Sequence, residues 1–443
     1  MGAARKAKVR PFLRPVDGDP SIRYSTDPRW PGIYRAEEPK DDDDGDPAPV
    51  LSWCPTVTHH LVRLDEDGRP VERRYRVTVN GDRPVIVSSD ELVSGEVWRT
   101  MVPSTSGVGK RWLREALVNV VMQQAVDLPA ITWSTTRTGW HTPPDWSWSY
   151  TDPSGNEDMD SIDDDDRRVI AVGIPSAIAR ASRPLDRPVE LDEIRGVLES
   201  MTGRGWGPLF GLSVGARALV QTFAPVRASL VVTGKPNSGK SGTAVMALAP
   251  RMDPGWPPVV DTTFEDTPTA MERAIGAAGD RAIVIDDMPL TAASSTKATN
   301  DANAKFDRIV RAFANDTPIR QRGTRDGGLA ESTKIYGIPV ITAQRLPAIV
   351  QASACRRVVL AHMERGANDT PWYRDNGADL MPALRSIGDR VIQMVASILA
   401  DAGPEGVRSL VQGCDEDGRA ALAHLAPHLG RDGMDGVLHH AGA

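Results

Sequence analysis

The sequence predicts an α/β fold: a parallel sheet at its centre, a small α+β module before it and a helical region after it. Three observations predict this. Leu230-Val231-Val232-Thr233, Ala282-Ile283-Val284-Ile285 and Ile338-Pro339-Val340-Ile341-Thr342 are short apolar runs of the kind buried on both faces of a parallel sheet. The tryptophans are unevenly placed, with 8 of the 11 before residue 200. Beyond residue 377 the apolar residues recur at helical period, over Leu380 to Leu399 and again near Val407 to Leu425.

At 443 residues the chain has room for about two to three domains. Composition sets their expected bounds: a poorly ordered or extended segment over 1–50, a Trp-rich α+β module over 51–200, a core over 204–365 and helices over 366–443. A hydrophobic fraction of 40% with 25% charged residues excludes wholesale disorder. No apolar run approaches the roughly 18 residues of a membrane-spanning helix, so no membrane partner is expected. Met1 to Arg10 is basic without an apolar stretch, which argues against a secretory signal. Cys54, Cys355 and Cys414 form no C-x-x-C pair, so neither a disulfide framework nor a zinc finger is expected, and the cytoplasm is the natural compartment.

In the first part, Asp41 to Asp44 and Asp163 to Asp166 are like-charge blocks that read as solvated loops among turn formers. Tyr75 to Val79 and Pro84 to Val87 alternate around Asn80-Gly81, a hairpin signal, and Trp112 to Val126 has helical spacing. Trp133, Trp140, Trp146 and Trp148 either complete a small core or stack on a ligand. His59-His60 and His439-His440 lack partners with metal-ligand spacing.

The core carries the chemistry. Gly234-Lys235-Pro236-Asn237-Ser238-Gly239-Lys240-Ser241 matches G-x-x-x-x-G-K-[ST], the phosphate-binding P-loop, between an apolar strand and a helix over Ser241 to Leu248. Its glycines let backbone N–H groups turn toward an anion, so 234–242, Gly242 included, is the expected nucleotide cradle. Lys240 is placed to reach the β- and γ-phosphates of ATP, and the Ser241 hydroxyl to ligate Mg²⁺. Hydrolysis also needs a carboxylate on the metal and a group that orients water. Asp286 and Asp287 emerge at the end of the second apolar run, 46 residues after Lys240, at the strand end where open α/β sheets bind ligands. Asp286 is the expected metal ligand and Asp287 the expected water-polarising residue. The third run ends at Gln344, a candidate sensor of the γ-phosphate, with Thr342 the alternative. Arg356 and Arg357 are candidates either for a surface pair or for stabilising charge at a neighbouring subunit's nucleotide.

These motifs together resemble the superfamily 3-like helicase ATPases of phages and mobile elements, in the domain-of-unknown-function 927 group. The resemblance rests on Thr138-Gly139-Trp140-His141, the P-loop, Ile285-Asp286-Asp287-Met288-Pro289, Arg311-Ala312-Phe313-Ala314-Asn315, Arg322 to Leu329, Ile341 to Gln344 and Ser353-Ala354-Cys355-Arg356-Arg357. It covers about residues 130 to 365, and the chain departs from the family pattern at Gln344 and Cys355. The resemblance implies an AAA+-like P-loop NTPase core, a homo-oligomeric ring (usually a hexamer) and ATP-driven movement on DNA. A primase or replication-initiation partner belongs to the same picture.

A DNA contact also follows from residues. The net charge of −7 excludes a generally basic nucleic-acid coat, yet Arg320, Arg322, Arg325 and Lys334 form a local basic track in an expected hairpin over 318–334. Such a track suits the phosphate backbone of single-stranded DNA. The competing reading is a protein-remodelling, defence or regulatory ATPase indifferent to DNA. The C-terminal helices are expected as a lid over the adenine or a collar for partners.

Overall fold

The computed structural model describes residues 13–35, 49–64, 69–79, 84–95, 97–98, 110–128, 131–142, 148–151, 170–171, 189–251, 260–288, 296–319, 333–344, 357–364 and 368–425. The chain divides into two compact units, one of residues 1–135 and 159–172, the other of residues 136–158 and 173–443. The second unit thus includes 136–158, which composition alone groups with the first part.

Short alternating runs build the first unit. Strands β1 (Arg14–Val16), β2 (Asp19–Ser25), β3 (Gly32–Arg35) and β4 (Pro49–Leu51) form an antiparallel sheet in that order. The segment expected as poorly ordered or extended is, over its described part, extended chain paired into a sheet. The reason is that Val16, Ile22, Tyr24 and Ile33 bury one face together with Trp53 and Trp98, which offsets the entropy of ordering so short a stretch. Both acidic runs lie outside the described residues.

β5 (Pro55–Leu64) and β6 (Pro70–Val79) pair antiparallel, and β7 (Val85–Ser88) follows β6 as the expected hairpin partner. Helix α1 (Ser89–Ser94) starts in a capping box between Ser88 and Glu91. Helix α2 (Arg111–Val126) buries Leu113, Leu117, Val120 and Val121 on one stripe, as its spacing predicts. Strand β8 (Ile131–Thr135) lies parallel to β5. The chain then contributes the antiparallel pair β9 (Gly139–His141) and β10 (Ser149–Thr151) to the second unit before β11 (Ile170–Ala171) closes the first unit's sheet beside β8.

The second unit is an α/β core that carries the G-x-x-x-x-G-K-[ST] loop. After α3 (Leu191–Thr202) and α4 (Trp206–Ala218) come β12 (Ser229–Gly234), α5 (Lys240–Met246), β13 (Thr262–Thr263) and α6 (Pro268–Ala277). They are followed by β14 (Ala282–Met288), α7 (Thr296–Asn315), β15 (Ile338–Ala343), β16 (Val358–Met363) and α8 (Thr370–Leu425). The five strands are all parallel in the order β13-β14-β15-β12-β16, with the three apolar runs of the sequence as β12, β14 and β15. β15 is thereby inserted between the strand that leads into the phosphate loop and the strand that carries the acidic pair. Every residue of β12 and β15 is buried.

Helix α8 is two helices joined at Gly403, whose φ of 65° and ψ of −167° break the spiral just before Pro404, matching the two expected helical stretches. Among the described residues, no helix is long and apolar enough to cross a membrane.

Candidate nucleotide site

The phosphate loop leaves the C-terminal end of β12. At Gly234, φ 151°, a Cβ would lie 2.5 Å from the Met363 carbonyl and 2.6 Å from the Ser238 hydroxyl, so the bend tolerates no side chain. Asn237 (φ 62°) and Gly239 (φ 89°) then curl the loop through the left-handed region, the conformation in which successive N–H groups form anion-binding concavities. Lys240 opens α5 and its Nζ donates to the Lys235 carbonyl at 2.9 Å, so the ammonium lies back over its own loop. The Ser238 hydroxyl is buried with no hydrogen-bond partner among the described residues.

The acidic pair sits on a break in β14. The ladder with β15 runs evenly to Ile285 opposite Ile341 and resumes only at Met288 opposite Ala343. Asp287 lies in this irregularity with φ 59°, a backbone state that Asp tolerates better than most residues. One hydrogen-bonded chain links three elements here. The Ser241 hydroxyl on α5 donates to Asp286 Oδ1 at 3.4 Å, and the Thr342 hydroxyl on β15 donates to the same oxygen. The Asp287 N–H in turn donates to Thr342 Oγ1 at 3.0 Å.

Lys240, Ser241, Asp286 and Asp287 are thus gathered at one edge of the sheet. Thr342 is the third-strand side chain that touches the acidic pair. Gln344 stands exposed just past the end of β15. Arg357 is elsewhere: its carbonyl accepts from the Ser229 N–H at the start of β12, while Gly234 at the other end lies beside Met363. That separates Arg357 from the loop by five strand residues, roughly 16 Å. Lys334 is half-buried next to Thr333, whose carbonyl accepts from the Ile319 N–H at 2.9 Å, so the ends of the expected hairpin meet. Arg320, Arg322, Arg325 and Arg356 lie outside the described residues, as does the short helical segment expected over 348–354.

Oxygen donors of this kind fit a hard cation: the Ser241 hydroxyl and the Asp286 carboxylate are what Mg²⁺ takes from a protein. The glycine-lined loop, with a lysine over it and a buried hydroxyl lacking a partner, fits a polyphosphate. No group of three His, Cys, Asp or Glu that could hold a metal occurs among the described residues.

Sequence reasoning missed two supports of the loop. Asn368, just ahead of α8, donates through Nδ2 to the Gly239 carbonyl at 2.6 Å and to Thr243 Oγ1 at 3.0 Å. No local signal marks a residue whose partner is 129 positions away. The other is a glycine ladder on α4. A Cβ at Gly211 would come within 2.0 Å of the Thr243 carbonyl, and one at Gly215 within 2.2 Å of the Ala247 carbonyl, so α4 packs its backbone directly on α5. The four-residue glycine period at 207, 211 and 215 was the available signal.

The Thr138-Gly139-Trp140-His141 motif serves packing. The buried Asp280 carboxylate accepts from the Trp140 N–H at 3.0 Å, from the Thr222 N–H at 2.7 Å and from the Thr222 hydroxyl at 2.9 Å, with the Arg137 guanidinium 3.7 Å away. Burial pushes the Asp280 carboxyl above the usual carboxylate range. Gly139 is obligatory, since its Cβ would fall 2.4 Å from Asp280. Trp140 is buried and donates through its indole N–H to the Leu219 carbonyl at 2.8 Å, and it packs edge-on against Tyr150 and Phe223. Trp148 also packs on Phe223. Trp140 is therefore a core residue, the first of the two readings its sequence context allows.

No family model and no curated protein matches the sequence. Among solved structures, the chain is similar to the active helicase Cch of SCCmec type IV, with a TM-score of 0.49 at 16% identity over 85% of this chain and 65% of that one. It is similar to the apo C-terminal region of NrS-1, with a TM-score of 0.34 at 10% identity over 76% of this chain and 72% of that one. A third is NtrX from Brucella abortus in complex with ATP, with a TM-score of 0.21 at 11% identity, covering 62% and 65% of the two chains. The chain thus spans about two thirds of the length of the Cch helicase.

Proposed function

We propose that the chain is a Mg²⁺-dependent ATPase that works as a DNA helicase or translocase, assembled as a ring with ATP at its subunit interfaces. The observation that carries the ATPase reading is the contact between the Ser241 hydroxyl and Asp286, next to Lys240 and a glycine-bent loop. Bound Mg²⁺ and ATP supply the γ-phosphoryl group and the charge that polarises it. Lys240 holds the phosphates. Ser241 and Asp286 hold the metal, and Thr342 fixes the rotamer of the Asp286 carboxylate. Asp287, exposed at the bulge, orients water and takes its proton on a carboxylate oxygen, while Gln344, exposed past the end of β15, senses the phosphate. A lysine that donates to its own loop has only to swing outward to meet an anion.

Action on DNA draws its support from the arginines of 320–325, carried between ends that the Ile319–Thr333 hydrogen bond ties together. The ring draws its support from Arg357, which is too far from the loop of its own chain and so suits, with Arg356, a neighbour's site.

The test is steady-state ATP hydrolysis with Mg²⁺, with and without single-stranded DNA, beside Lys240→Ala. The expected result is turnover that rises with DNA, falls steeply with salt and drops about 10²-fold or more in the variant. Hydrolysis indifferent to DNA at every salt concentration overturns the motor reading and favours nucleotide-driven remodelling of a protein. No hydrolysis in any condition, despite ATP binding, overturns the enzymatic reading as well.

A further inference from the structure

The turn that follows β13 is braced from three sides. Thr262 stands opposite Ile285 of β14 and Thr263 opposite Asp286, and the Phe264 N–H donates to the Asp286 carbonyl at 3.3 Å. The Asp266 N–H donates back to the Thr263 carbonyl at 3.2 Å, which closes a β-turn over residues 263–266. The Asp266 carboxylate accepts from the Thr262 hydroxyl at 2.6 Å and from the Thr263 N–H at 2.9 Å. Phe264 is buried in the core. Lys305 of α7, half-buried, donates from Nζ to the Phe264 carbonyl at 2.6 Å and to the Asp266 carbonyl at 2.7 Å. The ammonium thus grips the backbone on both sides of Glu265. The Glu265 side chain itself is exposed and makes no hydrogen bond or ion pair among the described residues.

This turn leaves the sheet at the same edge as the acidic pair. Glu265 follows the end of β13 by two residues, one step past the level of Asp287 on the neighbouring strand. Strands about 4.8 Å apart, with a rise of about 3.3 Å per residue, put the two backbones roughly 6–8 Å from each other. A lysine held on two carbonyls rather than on a carboxylate gives up much rotamer freedom. What this secures is the position of one free carboxylate. A group fixed before the reaction acts without reorganising in the transition state.

We infer that Glu265 is a second catalytic carboxylate of the hydrolytic site, that it shares the attacking water with Asp287, and that Lys305 positions it. This rests on the reading of the loop at 234–241 as an ATP site. A water has two hydrogens, and a single acceptor leaves it free to turn. Asp286 does not supply the second acceptor, because its carboxylate is committed to Ser241, Thr342 and the metal. With Asp287 accepting one hydrogen and Glu265 the other, an oxygen lone pair is left to face the γ-phosphorus. The water oxygen bonds to that phosphorus as the bond to the β,γ-bridging oxygen breaks, and ADP leaves with the bridging oxygen. The proton held by Asp287 transfers to its carboxylate. The hydrogen held by Glu265 stays on the inorganic phosphate, so Glu265 orients the water and ends the step unprotonated.

The test is ATP binding and steady-state hydrolysis by the full chain with Mg²⁺, with and without single-stranded DNA. The proteins are wild type, Glu265→Ala, Glu265→Gln, Lys305→Met and the double variant Glu265→Ala with Lys305→Met. Glu265→Ala alters an exposed side chain, so it is expected to keep the fold and to bind ATP within about threefold of wild type. Its kcat is expected to fall about 10²-fold in both conditions, and Glu265→Gln, which keeps an acceptor oxygen, to recover about tenfold of that. Lys305→Met is expected to lower kcat about tenfold alone and to add nothing to Glu265→Ala, since a residue that acts through another has no effect once the other is gone. Turnover of Glu265→Ala within about threefold of wild type overturns the assignment. So does loss of the DNA-stimulated increment alone, which makes the turn a DNA contact, and so does a matching loss of ATP binding. A glutamine variant no faster than the alanine variant overturns the orienting role. An equal effect of Lys305→Met in both backgrounds makes it a brace of the fold and overturns its positioning role. Wild type that binds ATP without hydrolysing it, or does not bind it, overturns the ATPase reading, and the role of Glu265 falls with it.

Discussion

The two units each contain a five-stranded sheet, and the sheets distribute their polar residues in opposite ways. In the first unit, β6 and β7 mix buried and accessible positions, and charges sit along the strands, as where Glu72 pairs with Arg63 at 2.5 Å and Arg74 at 3.2 Å. In the second, β12 and β15 are buried throughout, so hydroxyls and carboxylates that need water, metal or phosphate collect at the strand ends. A sheet covered on both faces concentrates its chemistry at one edge. A sheet with an open face spreads polar residues thinly and marks no site.

That contrast can be broken or sharpened by substitution. The largest effects are on stability. Trp98, fully buried in the first unit's core, is expected to cost about 3–5 kcal/mol when changed to alanine, with ATP hydrolysis by the folded protein unchanged. Urea denaturation and turnover on one sample check this, and lost turnover in the folded variant would show that the first sheet serves the chemistry after all. Asp280→Ala is expected to cost about as much, near 3–5 kcal/mol, because it strands the buried Trp140 and Thr222 N–H groups and removes the carboxylate beside the Arg137 guanidinium. A melting curve that barely moves would mean that the polar interior of the second unit is more yielding than its hydrogen bonds imply.

Thr342→Val separates site from scaffold. It removes the donor to Asp286 and the acceptor for the Asp287 N–H, and the expected cost is about 1–3 kcal/mol, appearing chiefly as slower hydrolysis. Unaltered turnover would remove Thr342 from the site. The smallest effect concerns Asp266, beside β13. The hydrogen bond from the Thr262 hydroxyl, then that from the Thr263 N–H, hold its carboxyl below 3.8. Its folded-state pKa is depressed, so its stabilisation is fully present above the unfolded-state pKa and is lost as pH falls from there through the folded-state pKa. Acid titration of stability is expected to be shallower in Asp266→Asn than in wild type, and identical slopes would contradict the assignment.

The sequence alone points to β12, β14 and β15, because a strand buried on both faces must be an unbroken apolar run. It also marks the loop at 234–241, whose glycines and lysine are adjacent in the chain. The acidic pair is legible for the same reason, since polar residues directly after an apolar run must emerge at its end. The four strands up to residue 51 were not legible: they are only 3–7 residues long and bury one face in a core that includes Trp98, far along the chain. Trp140 is a similar case, its environment being set by Asp280, 140 residues away.

What the sequence determined by itself is therefore the loop at 234–241 and the strands that flank it, because those signals are local and each residue's neighbours in the chain are its neighbours in space. Tertiary structure alone decided that Thr342 rather than Gln344 touches the acidic pair, that Asn368 braces Gly239, and that the first turn of α8 walls a cavity beside Gly242. Each of these depends on the order in which parallel strands pair and on where a distant helix begins. Those are outcomes of packing a whole core, which no stretch of sequence encodes alone.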